Sequence, residues 1–431
     1  MFTKKTIRDV ELKNKTVLLR ADYNVPLKAG HITDDYRIKQ SLETVNYLLK
    51  KKVKLIICSH LGRPDGKASS ALSLHPVAER LRELLEREVG FAHDCVGNEA
   101  AEMSAKLKSG QILLLENLRF HPEEEANDPT FAKKLAGLSE VFVQDGFGVV
   151  HRAHASTEGV THFLPSVAGL LLEREVDTIT KTMEEPKRPL AAIVGGAKVS
   201  DKLEILRRFI TKADFLAVGG ALANPFLAAG GVDIKSSLLD PADLPLAKEI
   251  LLQAAEESKK RDFVLAVPHD AVVAKSIDKQ AETRVVDFSS NSYADIVSYP
   301  KRVRHEDTHL RAGEKVLDIG PFSASFIAGA VQLSSTVVWN GTMGVTETDS
   351  LEGPIGPFAH GTETIIEALN GDLGHKPFTV VGGGDTVGYI ESRKMINCFN
   401  HVSTGGGASM ELMSGHKLPG VEALLDKNEV Q

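Results

Sequence analysis

Short, uninterrupted apolar runs recur along this chain with helix-like segments between them, and this alternation restricts the fold more than any other feature. In the first half the runs are Val17-Leu18-Leu19, Leu55-Ile56-Ile57-Cys58, Ile112–Leu115 and Val141-Phe142-Val143. In the second half they are Leu190–Val194, Phe215–Val218, 263–267, Val316-Leu317, Thr336-Val337-Val338 and 378–381. A run with no polar interruption fits a strand buried on both faces, as in a parallel sheet covered by helices. Segments such as 76–88 and 201–211, rich in Leu, Glu, Arg and Lys, supply the helices. The class is therefore α/β with right-handed crossovers. About ten strands exceed one comfortable sheet, and 431 residues exceed one ordinary core. The sequence predicts two doubly wound, Rossmann-like parallel-sheet domains joined by a hinge helix. The expected division is 1–170, a connecting helix at 171–185 stopped by Pro186, 186–400, and a closing segment at 401–431.

The composition is that of a globular protein, 42% hydrophobic and 25% charged. A formal net charge of −7 argues against a general binder of nucleic acid or membrane surfaces, so any basic site has to be local. No stretch approaches ~18 apolar residues, and Met1-Phe2-Thr3-Lys4-Lys5 has no apolar signal core. Cys58, Cys95 and Cys398 are odd in number and widely spaced, with no zinc spacing and no fully paired disulfide framework. A reducing cytoplasm is the expected location, with neither nucleic acid nor membrane as partner.

In open α/β sheets the ligand lies beyond the carboxyl ends of the strands. In the first half these positions read Arg20-Ala21-Asp22-Tyr23-Asn24, Ser59-His60-Leu61-Gly62-Arg63, Glu116-Asn117-Leu118-Arg119 and Asp145-Gly146-Phe147-Gly148, leading to His151-Arg152. Each brings an arginine. Arg20, Arg63, Arg119 and Arg152, with Arg37 in the loop beyond the first run, are expected to converge on one face. Guanidinium forks match phosphate and carboxylate oxygens and keep their charge at any working pH, so this half reads as a site for a small, multiply charged anion. His60 and His151 are further donors, or simply structural.

The second half places glycine after its strands. Gly195-Gly196-Ala197-Lys198-Val199-Ser200-Asp201-Lys202 puts two lysines four apart, read as one face of the first turns of a helix. It is not a P-loop, and the protein-kinase loops are absent. Two glycine triplets, 382–384 and 405–407, stand where apolar runs stop. Bare backbone N–H groups there, with a following helix N-terminus, can close on phosphate oxygens; tight turns are the plainer use. Asp385 suits Mg²⁺ bridging phosphates, its alternative use being the N-cap of a helix over 386–390.

These residues together resemble phosphoglycerate kinase. The stretches 18–26, 59–64, 114–120 and 151–156 are similar to that family's substrate half; 195–202, 317–321, 339–341, 382–386 and 401–409 are similar to its nucleotide half and closure elements. They occur in family order over essentially the whole chain. The resemblance implies that Asp22, Asn24, Arg37, His60, Arg63, Arg119 and Arg152 bind 3-phosphoglycerate. Arg37 and Lys198, with the amides of Gly405, Gly406 and Gly407, would meet the phosphoryl group in flight. Lys198, Lys202, Asn340, Glu347, Gly383, Gly384, Asp385 and Thr386 would hold ATP or ADP, with Asp385 near Mg²⁺. It also implies a monomer. Departures from the family pattern cluster in the nucleotide half. Thr342 stands where proline is usual, Thr346 where phenylalanine is usual and Pro225 where threonine is commoner. Pro268-His269-Asp270 departs from the usual Pro-Val-Asp, and the link 348–357 is several residues longer.

The residues alone favour the same chemistry. A carboxylate acceptor is already ionised near neutral pH and needs no general base, whereas a hydroxyl would want one. A site of arginines, lysines, Mg²⁺ and backbone amides therefore suits formation of an acyl phosphate. A dehydrogenase would need Gly-x-Gly-x-x-Gly after an early strand, where this chain has arginines. A non-catalytic scaffold that kept the fold would show loss of Arg37, Lys198 or Asp385, and all three are present.

Overall fold

The computed structural model describes residues 2–288, 308–348, 350–351 and 353–428. Of the long link 348–357, residues 349 and 352 lie outside the described residues. The chain divides into two units, Met1–Thr180 with Thr404–Gln431, and Lys181–Ser403.

The first unit is built on a six-stranded parallel sheet. In spatial order its strands are Val89–Ala92, Ile112–Leu115, Lys54–Cys58, Thr16–Arg20, Val141–Gln144 and Ser166–Ala168. Val17 pairs in register with Leu55 and with Val141. Alternate residues enter two separate cores: Val17, Leu19, Leu55, Ile57, Leu114 and Val143 on one face, Leu18, Ile56, Leu113, Leu115 and Phe142 on the other. Both faces are dry, which is why the sequence shows unbroken apolar runs there. The chain leaves Thr16–Arg20 toward Lys54–Cys58 and later returns on the opposite side with Val141–Gln144. That reversal opens a crevice at the carboxyl ends of these strands.

The second unit repeats the plan with Val264–Ala266, Phe215–Val218, Leu190–Val194, Thr336–Asn340, Phe378–Gly382 and His401–Val402, all parallel. Two six-stranded parallel sheets thus carry the α/β architecture. The run Val316-Leu317 corrects the expectation of a parallel strand. It lies in Lys315–Ile319, at one edge of a separate antiparallel sheet with Asp270–Ala274 and Arg284–Asp287. That small sheet is also covered on both sides, by Ala271, Val273, Val286 and Leu310 and by Ala274, Leu317 and Phe358. An apolar run reports two buried faces, not strand direction.

The helix Leu170–Glu184 runs across the boundary at residues 180 and 181. Its first turn is tied to the first sheet by Asp145, whose Oδ1 accepts from Leu171 N (3.0 Å) and Leu172 N (3.1 Å). The chain returns to the first unit at Thr404, where the Thr404 N–H and hydroxyl both donate to the buried Glu175 carboxylate (2.7 and 2.8 Å). The C-terminal segment then pairs with the edge strand and the N-terminus: Leu425 N donates to Ser166 O and Lys5 N to Leu425 O (3.0 and 2.7 Å). Leu418, Val421 and Leu424 are buried beneath it. No helix among the described residues is long and apolar enough to cross a membrane.

Burial pushes the Asp145 carboxyl up to about 7, against the opposing pull of Thr44 and the Leu172 and Leu171 N–H groups. Its Oδ2 is buried without a hydrogen-bond partner among the described residues. The folded protein keeps a proton that the unfolded chain releases near pH ~3.9. The contribution is present below that value and is lost as pH rises through the folded one. Asp145→Asn places an amide where the proton sits. In denaturant titrations the parent should lose about 1.4 kcal/mol of stability per pH unit relative to the variant between pH ~4.5 and ~6.5, levelling off above ~8. A difference independent of pH would contradict this reading.

Candidate active site

The crevice of the first unit is a cavity of about 340 Å³ lined by Asp22, Asn24, Arg37, His60, Arg63, Arg119 and Arg152, with Gly62, Gly148, Val149, His151, Gly406 and Gly407. All seven residues expected to bind the phosphorylated acid meet here. Asp22 follows the central strand and orients Arg37 from the first turn of the helix Tyr36–Lys50, accepting from its guanidinium at 2.7 Å. Asn24 Oδ1 accepts from Gly62 N (2.8 Å), fixing the loop that carries Arg63. Arg119 is held by Gly62 O (2.9 Å) and by Glu125 (3.0 Å). Arg63 is exposed at the rim, and Arg152 donates to His151 Nε2 (3.2 Å).

Arg20 corrects the expectation that it joins the others on this face. It is the last residue of its strand and 1% exposed, and its guanidinium donates to Ser156 Oγ (2.8 Å) and Ala21 O (2.6 Å). Ser156 in turn binds both oxygens of Glu124, a carboxylate with no exposure. Arg20 is thus a buried cation under the cavity floor, balanced by a buried anion. Sequence reasoning missed Glu124, which sits in an acidic triplet that looks like a solvated turn.

The histidines are the second electrostatic feature. Burial, then Arg20, Arg119 and Arg37, holds His60 well below its ordinary 6.5. Burial with Arg20, Arg119 and Arg152 brings His154 down to about 4, and burial with Arg152 lowers His151, Asp22 opposing. At neutral pH the cavity's positive charge is therefore arginine alone, and the imidazoles are neutral hydrogen-bonding groups. Gly148 was also missed. A Cβ there would stand 2.1 Å from Asp22 Oδ2, so only glycine leaves room for the Asp22–Arg37 pair.

The glycine triplets fall in different units. Gly406 and Gly407 open the helix Gly406–Ser414 with Gly405 as its N-cap and line the arginine cavity, so the first turn and its positive helix end lie at that cavity. Gly405 packs against Phe147 rather than lining the cavity. In the second unit Gly383 caps the helix Gly384–Ser392. Asp385 is therefore the second helical residue and not the N-cap, and its carboxylate is exposed. Thr386 is buried and accepts from Gly341 N (2.7 Å).

The two lysines are not on one helix face, because the α-helix begins only at Leu203. Lys198 lies in the preceding loop, half exposed, 3.7 Å from Asp240. Lys202 is turned inward, donating to Gly195 O (2.7 Å) and Asn340 Oδ1 (2.7 Å). Burial lowers its ammonium to about 8, with Asp385 and Asp201 resisting. Asn340 Nδ2 beside Gly383 is a buried donor with no hydrogen-bond partner among the described residues. The loops here meet backbone to backbone: a Cβ on Gly195 would lie 2.0 Å from Thr342 O, and one on Gly341 2.3 Å from Gly195 O. Thr342 is buried with its hydroxyl on Gly344 O, Pro225 is buried in Asn224–Ala229, Thr346 is half-buried and Glu347 is exposed. The exposed Asp385 carboxylate in the first turn of Gly384–Ser392 is an oxygen ligand of the kind Mg²⁺ takes, which fits that ion.

Comparison with known proteins agrees with this geometry. The family model for phosphoglycerate kinase matches residues 7–416. The chain is 47% identical to the phosphoglycerate kinase of Moorella thermoacetica over 426 residues, 99% of this chain and 100% of that protein. It is 45% identical to that of Pelotomaculum thermopropionicum over the same shares. Among solved structures, phosphoglycerate kinase from Coxiella burnetii superposes with a TM-score of 0.80 at 33% identity, covering 97% of this chain and 98% of that one. The Pyrococcus horikoshii enzyme gives 0.77 at 29% identity, covering 98% of each. With a full-length family match, relatives well above 30% identity and the same two-sheet architecture, the chain belongs to the phosphoglycerate kinase family and is a phosphotransferase.

Proposed function

We propose that the chain catalyses reversible phosphoryl transfer between ATP and the carboxylate of 3-phosphoglycerate, giving ADP and 1,3-bisphosphoglycerate, as a cytoplasmic monomer in glycolysis and gluconeogenesis. The observation that carries this is the arginine cavity whose histidines, His60 and His151, are both held below the ordinary imidazole value. It offers fixed positive charge for a polyanion and only weak proton acceptors, which is what a carboxylate acceptor needs. Asp22, Asn24, Arg37, His60, Arg63, Arg119 and Arg152 bind the acid. Lys202, Asn340, Glu347, Gly383, Gly384, Asp385 and Thr386 hold the nucleotide phosphates and ribose. Mg²⁺ on Asp385 would supply charge neutralisation across the phosphate oxygens. Arg37, Lys198 and the amides at Gly405, Gly406 and Gly407 stabilise the charge on the transferring group.

Because the acid and the nucleotide are assigned to different units, closure through the helix Leu170–Glu184 and the crossing at Ser403 and Thr404 brings them in line and expels water. Bound anions offset the like charge of the arginines and lysines, so full closure needs both ligands: scattering should show a partial decrease in radius of gyration with either ligand alone and the full decrease with both, and an unchanged radius across all states would contradict closure.

A coupled assay with 3-phosphoglycerate, ATP and Mg²⁺ tests the reaction. Turnover is expected; binding of both ligands without turnover would instead support a non-catalytic scaffold. Arg37→Ala or Lys198→Ala should lower kcat by on the order of 10³, about 4 kcal/mol of transition-state stabilisation, with a much smaller change in affinity. A raised KM with near-normal kcat would assign that residue to uniform binding.

Relaxed base selectivity follows from Pro225, Thr342, Thr346 and the long 348–357 link. We expect kcat/KM for ATP and GTP to differ by less than about 100-fold; a larger preference for ATP would show that base readout survives these departures.

A further inference from the structure

Away from the cavity, Asp94 and Cys95 follow the edge strand Val89–Ala92, and His121 follows the short 3₁₀ turn Leu118–Phe120. Their ligand atoms, one from each residue, all lie within 4.8 Å of one another. His121 Nε2 is 2.7 Å from Asp94 Oδ1, and the ring is steadied by Phe131 at 5.3 Å between centroids. Asp94 is oriented in its turn by N–H donation from Cys95 (2.6 Å). The Cys95 thiol is the unusual member. It belongs to a residue 1% exposed and makes no side-chain hydrogen bond among the described residues, yet it points to the His–Asp pair rather than away from it.

We propose that Asp94, Cys95 and His121 form a binding site for a divalent cation of the Zn²⁺ class, with water completing its coordination. The donor set of one thiolate sulfur, one imidazole nitrogen and one carboxylate oxygen is what a borderline-soft ion selects, and hard ions such as Mg²⁺ are disfavoured by sulfur. Ligands on a tetrahedral zinc stand roughly 3 to 4 Å apart, so the observed cluster needs only small side-chain rotations to close on an ion. Burial, and then the Asp94 and Glu124 carboxylates, raises the Cys95 thiol well above its ordinary range. The same carboxylates make the position attractive to a cation. On binding, the S–H bond breaks, its proton leaves to solvent and the sulfur lone pair forms the S–M bond, so the occupied site carries no net charge. The 26-residue separation between Cys95 and His121 hides the site from any spacing motif.

The test uses the full-length, metal-stripped protein titrated with Zn²⁺ alone against a chromophoric chelator, and with Co²⁺ alone followed by absorption. One equivalent of Zn²⁺ should bind at about 10 µM or tighter, and Co²⁺ should give a near-ultraviolet thiolate charge-transfer band. Cys95→Ser and His121→Gln should each weaken Zn²⁺ binding at least about tenfold and remove or shift the band, while Cys398→Ser leaves both unchanged. His121 is partly exposed, so its variant carries the test if Cys95→Ser fails to fold. Binding no tighter than about 10 µM, or affinity unchanged in His121→Gln, would overturn the site.

Discussion

Several cations have to be held close together in one cavity, and much of the first unit is arranged around that requirement. Unneutralised guanidinium groups at short range repel, and burial strengthens the repulsion. The protein answers with oxygen acceptors for Arg37, Arg119 and Arg20, while Arg152 donates to His151 Nε2. Asp22 takes Arg37, Gly62 O and Glu125 take Arg119, and the Ser156–Glu124 pair with Ala21 O takes Arg20. The imidazoles then give up their charge, because burial, and then the neighbouring arginines, disfavour a further proton. The resulting field is strong, fixed in position and independent of pH near neutrality. Such preorganised charge needs little rearrangement when an anion arrives.

The second unit solves a different problem with different residues. Its strand ends carry glycine so that loops from Leu190–Val194, Phe215–Val218 and Thr336–Asn340 can approach through their backbones, as the 2.9 Å bond from Gly195 N to Asn340 O and the 2.8 Å bond from Gly220 N to Met343 O show. Lys202 faces inward, and Lys198 stands half exposed on the preceding loop, 3.7 Å from Asp240. Backbone amides with one lysine beside them are the donors that the proposed nucleotide site calls on.

The central strands were legible because each is buried on both faces, so nearly every residue of each run is apolar, Thr336 and Thr379 being exceptions. The edge strands Val89–Ala92, Ser166–Ala168 and His401–Val402 were not, since a strand at the margin tolerates Gly90, Ser166 and His401. The anion cavity was largely legible, because a doubly wound sheet sends the ends of its strands to one crevice. Arg20 was misplaced by one position along its strand, enough to turn a cavity residue into a floor residue. Lys198 and Lys202 were misread because the chain makes a loop and a 3₁₀ turn before the helix begins. Glu124 and Gly148 act only through partners distant in sequence, which spacing does not encode.

The most direct test of the fixed-charge account is an NMR titration of the histidine rings in the free protein. His60 should remain neutral well below pH 6.5 and His154 down to about pH 4, and His60, which lines the cavity, should titrate at higher pH once 3-phosphoglycerate brings negative charge beside it. If His60 and His154 titrate at or above 6.5 in the free protein, the cavity's charge is not set by its arginines, and the argument for a carboxylate acceptor loses its basis.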